Sequence, residues 1–333
     1  MDRAREPSRN LGLDLVRATE AAALAAGRWM GLGEPLKADQ TATEKMYEAL
    51  NLISFEGAVA VGEGPSMLAC DHLSVGQCVG TGEGPGVDIV VDPVDGRGLV
   101  AQGHPGAIAV MAGAPQGAFW SPDPASTVHM EKIVVDCGAA EALVPECLDA
   151  PAAWTMGLIA RAKGKEVQDV TVTVLDRPWH TDLVDELRQA GVHVMLRNEG
   201  DVTGALLAGM EETGIDALMG TGGSSEGLIA ACALKATGGA ILARLKPQND
   251  QERAIVEAAE FDHRRTLSTD DLVRSEAVFF AATGITDGPL LDGIQYAGNR
   301  ARSNSLILRG ETKTRRTIHA EHLLHEASGR WDS

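Results

Sequence analysis

The chain has 333 residues, long enough for two domains of ordinary size, and its 29 Lys and Arg against 47 Asp and Glu give a formal net charge of −18. This acidic balance argues against nucleic-acid and anionic membrane partners, because phosphate groups need a basic surface. Aromatic residues make up only 4% of the chain whereas 38 residues are Gly, which favours tight turns around a small polar ligand over platforms for stacked bases. A polyanionic small ligand is still compatible with this net charge if divalent cations bound by carboxylates make the binding site locally positive.

The sequence carries no sign of a membrane span or of export. It has no apolar run of about 18 residues, and residues 1–10 are polar and predicted to form a flexible tail. The five cysteines are scattered without a CxxC pair, which favours reduced thiols over disulfides or a zinc site. We therefore expect a cytoplasmic protein.

The first half of the chain combines two helices with several strands. Apolar residues at helical spacing predict helices over 11–30 and 39–52. The continuous β-branched run VDIVV predicts a buried strand that ends at Asp92-Pro93, because proline cannot donate to a sheet ladder. The full set of strands predicted in this half covers 58–62, 87–91, 107–111 and 132–135.

Beyond residue 166 or so, strands alternate with helices. This order predicts a parallel, doubly wound layer and a boundary between two α/β domains, 11–165 and 166–330. Two later strands, at 277–282 and 305–308, cannot be assigned to either half from the sequence. The alternating elements are strands at 170–175, 192–196 and 217–220, and helices over 180–189, from 203 and from 225.

The sharpest chemical signal is the segment Asp92-Pro93-Val94-Asp95-Gly96. Two carboxylates three residues apart follow a buried strand, and the carboxyl ends of strands are where open α/β sheets bind ligands. Mg²⁺ prefers carboxylate oxygens and water, and it often bridges to a substrate phosphate. A surface turn is the alternative, since Asp-Pro and Asp-Gly are common turn dipeptides, but the preceding strand favours a metal site.

Three weaker signals carry further acids. Glu63 lies between two glycines after a predicted strand, where the backbone can approach a metal or a phosphate. Asp39 begins a predicted helix, where an N-cap is the simpler interpretation. The segment GGSSEG at 222–227 opens a helix, so its backbone N–H groups suit an anion, and it contains Glu226.

Taken together, these segments resemble the class II fructose-1,6-bisphosphatases of the metal-dependent, lithium-sensitive sugar and inositol phosphatase superfamily. The resemblance runs from Leu11 to about residue 323, through KADQTATEKM, VAVGEG, VDIVVDPVDG, MEKIVV, GTGGSSEG, FFAATGIT and RGETKTRRTI in that order. It implies a layered α-β-α-β-α sandwich of the sugar phosphatase type, with a metal-binding phosphatase domain at 11–165 and a second α/β domain at 166–330 that completes the substrate site. It also implies Mg²⁺ or Mn²⁺, a sugar phosphate substrate and a homo-oligomer, either a dimer or a tetramer.

The resemblance implies which residues of this sequence catalyse the reaction, bind metal and bind the substrate. Glu63, Asp92 and Asp95 are the implied catalytic residues, and we expect in-line attack of water with Asp92 bridging two ions. The implied metal ligands are Asp39, Glu63, Asp92, Asp95 and Glu226. The implied substrate-binding residues are Arg97, His129, Lys132, Arg177, Glu199, Asp201, Gly220 and Gly222.

Three departures from the family pattern cluster near this site. Arg97 stands where the family has Thr or Ser, and a guanidinium cannot relay a proton as a hydroxyl can, because it has no acceptor. His129 replaces a Tyr and Trp179 an Arg. The resemblance as a whole implies a bisphosphatase acting on fructose 1,6-bisphosphate or sedoheptulose 1,7-bisphosphate, and the three departures motivate alternatives. The open alternatives are a divergent paralogue acting on another sugar or nucleoside phosphate, and a weakly active sugar-phosphate-binding protein.

Overall fold

The computed structural model describes residues 11–62, 72–120, 128–259 and 261–324. The elements of the first part are α1 (Leu11–Ala26), α2 (Pro35–Leu50), β1 (Glu56–Val61), β2 (Cys78–Val79), β3 (Gly86–Asp95), α3 (Arg97–Gln102), β4 (Ile108–Pro115), β5 (His129–Val135) and α4 (Ala152–Lys163). Those of the second part are β6 (Thr171–Leu175), α5 (Thr181–Gln189), β7 (His193–Arg197), α6 (Asp201–Ala208), β8 (Ala217–Gly223), α7 (Ser224–Thr237), β9 (Ala240–Leu245), α8 (Asp250–Ala258), β10 (Leu267–Ser268), α9 (Thr269–Leu272), β11 (Phe279–Gly284), β12 (Gln295–Ala297), β13 (Arg300–Arg309) and β14 (Thr314–Leu323).

These elements form five alternating layers of helices and sheets. Helices α1 and α2 cover the outer face of the first sheet, α6 and α7 lie between the sheets, and α4 and α5 cover the second sheet. Successive side chains of β3 point to opposite faces of the first sheet. Ile89 therefore packs with the outer helices and Val90 with the central ones. The predicted α/β sandwich with α-β-α-β-α layers is confirmed.

Both sheets are mixed. The first has the order β12-β13-β11-β4-β3-β1-β2, with β14 also paired to β13, and the second has the order β10-β9-β5-β8-β6-β7. In the second sheet, β6 is parallel to β7 and to β8, whereas β5, β9 and β10 pair antiparallel. The prediction of a parallel layer is therefore correct for the three adjacent strands β6, β7 and β8 and wrong for the rest of that sheet, because β5, from before residue 166, lies between β8 and β9 and is antiparallel to both.

Each sheet contains strands from both sides of the predicted domain boundary. β5 lies before residue 166 yet belongs to the second sheet, and β11 to β14 return to the first sheet. The unassigned late strands thus complete the sheet that contains β3. The boundary near 166 itself stays a prediction.

Strand β3 continues past the point where we expected proline to end it. Asp92 pairs with Val110 of β4 and Asp95 with Ile108, so the register shifts by one residue between them. Pro93 falls in this bulge, where its missing N–H is not needed for the ladder. The bulge leaves both carboxylates at the carboxyl end of the strand.

No helix within the described ranges is both long and apolar enough to cross a membrane.

Candidate active site

A cleft of about 490 Å³ lies where strand ends from both sheets meet. The carboxyl ends of β3, β6 and β8 border it, together with the loop after β7 and the first turns of α3 and α7. Most residues predicted for the site line this cleft: Asp39, Asp92, Asp95, Arg97, His129, Arg177, Glu199, Asp201, Gly222 and Glu226. Lys132 and Gly220 lie behind its wall, and Glu63 lies outside the described residues.

Asp92 and Asp95 form the acidic wall at the end of β3. One oxygen of Asp92 accepts a hydrogen bond from the backbone N–H of Val94 at 3.0 Å, which fixes the turn between the two acids. Asp95 is 5% exposed and accepts from the N–H and the hydroxyl of Thr203 at 3.0 and 3.2 Å. Burial, together with the charges of Asp201 and Glu226, raises the pKa of Asp95 from 3.8 to about 7, although the Thr203 bonds oppose this.

The glycines of β8 allow two further acids to approach the backbone. A Cβ at Gly222 would lie 2.1 Å from Oδ2 of Asp201, and a Cβ at Gly223 would lie 1.9 Å from Oε2 of Glu226. Glu226 is in the first turn of α7 and also accepts from the Ser225 hydroxyl at 2.7 Å. Only glycine therefore fits at these two positions without displacing a carboxylate from the cleft.

Lys132 is an internal cation that holds Asp201 in place. Its ammonium group donates a short hydrogen bond to Asp201 and a second one, at 3.3 Å, to the carbonyl of Gly223. The two side chains are 1% and 9% exposed. Burial raises the pKa of Asp201, and the charge of Lys132 opposes this rise. The predicted direct contact of Lys132 with substrate stays a prediction.

Gly220 contacts a histidine rather than the cleft. His180 is buried, donates from Nδ1 to the carbonyl of Leu175 at 2.7 Å and accepts at Nε2 from the N–H of Thr221 at 2.7 Å. Burial lowers the pKa of this ring, which agrees with a neutral tautomer. Gly220 has φ of 139°, and a Cβ there would lie 3.0 Å from the imidazole. His180 therefore positions the strand end that borders the cleft.

The mouth of the cleft carries an aromatic group. Trp179 is 47% exposed, and its ring lies edge-on to His129 and to His180 at centroid distances of 5.8 and 6.0 Å. His129 is fixed by Glu252, whose carboxylate bonds the imidazole at 2.9 Å and the backbone N–H at 3.1 Å. An exposed indole face next to a polar cleft can pack against a sugar ring or a base.

Glu199 holds the start of α3. Its carboxylate accepts from the N–H of Gly98 at 2.8 Å, and a Cβ at Gly98 would lie 2.1 Å from the same side chain. An acid at this helix start is favourable, since the first N–H groups of a helix have no partner within it. Glu199 also lines the cleft, so its predicted contact with substrate hydroxyls stays a prediction.

Three arginines lie around the acids. Arg97 pairs with Asp39 at 3.5 Å, and Arg177 donates to the carbonyls of Asp176 and Asn198 at 2.9 and 2.6 Å. Arg197 lies behind the cleft, and its charge partly offsets those of Asp95 and Asp201. Its Nε is buried and has no hydrogen-bond partner within the described residues.

The acids share a cleft without forming a closed metal cage. Among the residues that the structure describes, no three His, Cys, Asp or Glu side chains converge closely enough to hold an ion. The donor set nevertheless fits hard divalent cations, because it consists of carboxylate oxygens. Burial and, to a smaller extent, the charges of Asp201 and Glu226 raise the pKa of Asp95, so a bound cation would favour its ionised form. The predicted metal site stays a prediction.

Several residues at the site carry no sequence signal strong enough to find them. Thr203, which binds Asp95, sits 108 positions from it, and Glu252 sits 123 positions from His129. Ser225 stands in the segment that we identified as an anion loop, but its bond to Glu226 depends on the rotamers of both. Only the fold reveals these contacts.

Comparison with known proteins covers nearly the whole chain. The family model described as "Bacterial fructose-1,6-bisphosphatase, glpX-encoded" matches residues 9–322. The chain is 36% identical over 329 residues to "Fructose-1,6-bisphosphatase 1 class 2" of Escherichia coli strain K12, which covers 95% of this chain and 96% of that protein. The same identity and coverage hold for "Fructose-1,6-bisphosphatase class 2" of E. coli O6:H1 strain CFT073 and of Shigella flexneri.

These matches confirm the resemblance that the motifs indicated. With the family model spanning most of the chain and a relative well above 30% identity along its length, the chain belongs to the class 2 fructose-1,6-bisphosphatase family, a family of phosphoric monoester hydrolases.

Proposed function

We propose that this protein is a metal-dependent sugar bisphosphatase that releases the 1-phosphate of fructose 1,6-bisphosphate, with sedoheptulose 1,7-bisphosphate as a second substrate. Family membership supports this reaction class. The observation that carries it is the meeting of acids from three separate segments, Asp39, Asp92 with Asp95, and Glu226, in one cleft beside Arg97. Carboxylates gathered in this way repel a phosphate group unless bound cations neutralise their charge.

The proposed ligands for Mg²⁺ or Mn²⁺ are the acids predicted from the sequence. Asp92, Asp95 and Glu226 line the cleft, as does Asp39, and Glu63 follows β1 directly along the chain. When bound, the divalent ions neutralise phosphoryl oxygens and activate water for attack.

The protein groups around the acids bind and orient the phosphoryl group. The first turn of α7 faces the cleft with Ser225 and Glu226, and the free N–H groups of a helix start favour an anion. Arg97 has five N–H donors in a planar fork that suits phosphate oxygens. Either Glu63 or Asp39 is proposed to accept the proton of the attacking water, which needs a base within hydrogen-bond reach.

The sugar end of the substrate is proposed to lie towards β6 and β7. Arg177 and His129 face this part of the cleft, and Glu199 and Asp201 offer acceptors for hydroxyl groups. Arg177 is the proposed contact for the phosphate that is not cleaved. Its Nη1 is already bonded to two carbonyls, which fixes the guanidinium in one orientation.

A second candidate function follows from Trp179. An indole that is 47% exposed at the cleft favours a substrate whose far end is a planar or apolar ring, such as the base of a nucleoside phosphate. Stacking of a base on an aromatic side chain contributes about 1–3 kcal/mol. A weakly active sugar-phosphate-binding protein is the remaining alternative, which Arg97 favours since it cannot replace a catalytic hydroxyl.

A phosphate-release assay separates these functions. The wild type is incubated with Mg²⁺ or Mn²⁺ and fructose 1,6-bisphosphate, sedoheptulose 1,7-bisphosphate, sugar monophosphates and nucleoside monophosphates. Release from the bisphosphates supports the first function. Release from the sugar monophosphates or the nucleoside monophosphates alone supports a divergent paralogue, and binding without release supports the weakly active binding protein. Trp179→Ala is the matched variant: a ring-stacked substrate loses affinity by about tenfold or more, whereas a bisphosphate is little affected.

The assembly, location and partners of the protein are also proposed. We propose a homo-oligomeric protein, a dimer or a tetramer, in the cytoplasm, with a small sugar phosphate as its ligand and neither a nucleic acid nor a membrane as a partner. The net charge of −18 supports the last two points.

A further inference from the structure

Arg97 and Asp39 form an ion pair inside the cleft. Nη1 of Arg97 lies 3.5 Å from Oδ2 of Asp39, and both residues line the cleft wall. The Asp39 side chain is 8% exposed, whereas that of Arg97 is 56% exposed. Burial raises the pKa of Asp39, and the charge of Arg97 opposes this rise. Within the described residues, Arg97 is the cation that compensates this buried carboxylate.

The backbone is held in place on both sides of Arg97. Arg97 is the first residue of α3, and Gly96 before it has a φ of 96°, a left-handed conformation that favours glycine. The next residue, Gly98, is bonded through its N–H to Glu199 at 2.8 Å. With the backbone held on both sides, the Cα–Cβ bond of Arg97 has a fixed direction, and the guanidinium reaches Asp39 on α2.

The guanidinium keeps donors available for a second partner. Asp39 is bonded to one of its five N–H groups, and the exposed remainder of the side chain faces the cleft. A planar fork of this kind binds carboxylate and phosphate oxygens together. Arg97 is thus built to neutralise Asp39 on one side and to receive a phosphoryl oxygen on the other.

We propose that Arg97 is a built-in cation that takes the place of one divalent ion at Asp39, so that this chain binds fewer divalent ions than its carboxylates would allow. The proposal rests on the proposed metal site and deepens it. A positive charge a few ångströms from a binding position for a divalent ion opposes that ion strongly in a partly buried site. This narrows the ligand set proposed above: Asp39 pairs with Arg97 instead of binding a metal ion, and the metal is held by the remaining acids of the cleft.

The test counts bound Mn²⁺ rather than activity. Equilibrium dialysis against Mn²⁺ is carried out on the wild type, Arg97→Met and Arg97→Lys. We expect Arg97→Met to bind one more Mn²⁺ per chain, or the weakest ion about tenfold more tightly. Arg97→Lys keeps the charge and is expected to stay close to the wild type. Because Arg97 is largely exposed, we expect all three proteins to fold, and circular dichroism checks this.

A second variant locates the additional ion. Arg97→Met combined with Asp39→Asn removes the carboxylate, so the gain in Mn²⁺ must disappear. Equal Mn²⁺ number and affinity in the wild type and Arg97→Met would overturn the proposal, as would a gain that persists in the double variant. The outcome is independent of the proposed reaction: a wild type that releases no phosphate from any sugar phosphate contradicts the proposed function, while the Mn²⁺ count still decides the role of Arg97.

Discussion

Replacing Asp95 with Asn is expected to stabilise the metal-free protein while abolishing its activity. Asp95 is 5% exposed, and burial with two neighbouring acids raises its pKa to about 7. The folded state therefore holds a proton that the unfolded chain, with an ordinary value of 3.8, has already lost. Stability from this group is complete below pH 3.8 and is lost as the pH rises to about 7.

The size of the effect follows from the two pKa values. The difference between 3.8 and about 7 corresponds to about 4 kcal/mol at pH 8, as an upper limit before the structure relaxes. At pH 5 only about 1–2 kcal/mol has been lost, so the advantage of Asp95→Asn grows by about 2–3 kcal/mol between pH 5 and pH 8. The neutral amide can still accept from Thr203, which keeps the local fold.

Urea unfolding in EDTA at the two pH values measures this difference. Asp216→Asn is a control of opposite sign: Asp216 is also buried, but the ammonium groups of Lys163 and Lys165 and the N–H of Thr171 outweigh that burial and lower its pKa. Asp216→Asn is expected to destabilise by about the same amount at pH 5 and at pH 8, and less only below about pH 3.8, where the carboxyl of the unfolded chain takes up its proton. The reasoning is refuted if Asp95→Asn is less stable than the wild type at pH 8, or if its advantage does not depend on pH.

Two further predictions concern the groups behind the acids. Gly223→Ala places a Cβ 1.9 Å from Glu226 and should reduce phosphate release at least about tenfold with a small change in melting temperature, whereas the control Gly157→Ala, in an open helical position, should leave activity unchanged. Retained activity in Gly223→Ala would show that Glu226 need not occupy its present place. Lys132→Met leaves a buried carboxylate unpaired and should destabilise by about 3–5 kcal/mol, and adding Asp201→Asn should recover most of this loss in the same urea assay. If the double variant is as unstable as the single one, Lys132 stabilises by packing alone.

Helices and strands with a clear apolar pattern of their own were predictable from the sequence. Elements that depend on pairing with distant strands were not. Helices α1 and α2 and the strands β3 and β6 carry their own apolar patterns. β14 shows no such pattern because most of its residues are exposed, and it exists through its antiparallel pairing with β13. The mixed character of the second sheet also escaped prediction, since β5 pairs with β8 and β9, which lie far along the chain.

In the candidate site, too, residues with a local sequence signal were predictable, and contacts between distant residues were not. The acids of the DPVDG and GGSSEG segments were found because turns, glycines and strand ends place them predictably, and the structure brings them to one cleft. The cations were harder to place. Lys132 and Arg97 are ordinary basic residues in the sequence, and their partners lie 69 and 58 positions away. Which acid each one neutralises depends on the packing of distant elements.

The most direct measurement is phosphate release from fructose 1,6-bisphosphate by the wild type and by Asp92→Ala, each with Mg²⁺ or Mn²⁺ and with EDTA. Asp92 lies near the end of β3 and forms the acidic wall of the cleft with Asp95. We expect release by the wild type that stops in EDTA and no release by Asp92→Ala under any condition. Full turnover by Asp92→Ala, or release by the wild type that continues undiminished in EDTA, would contradict a metal-dependent bisphosphatase.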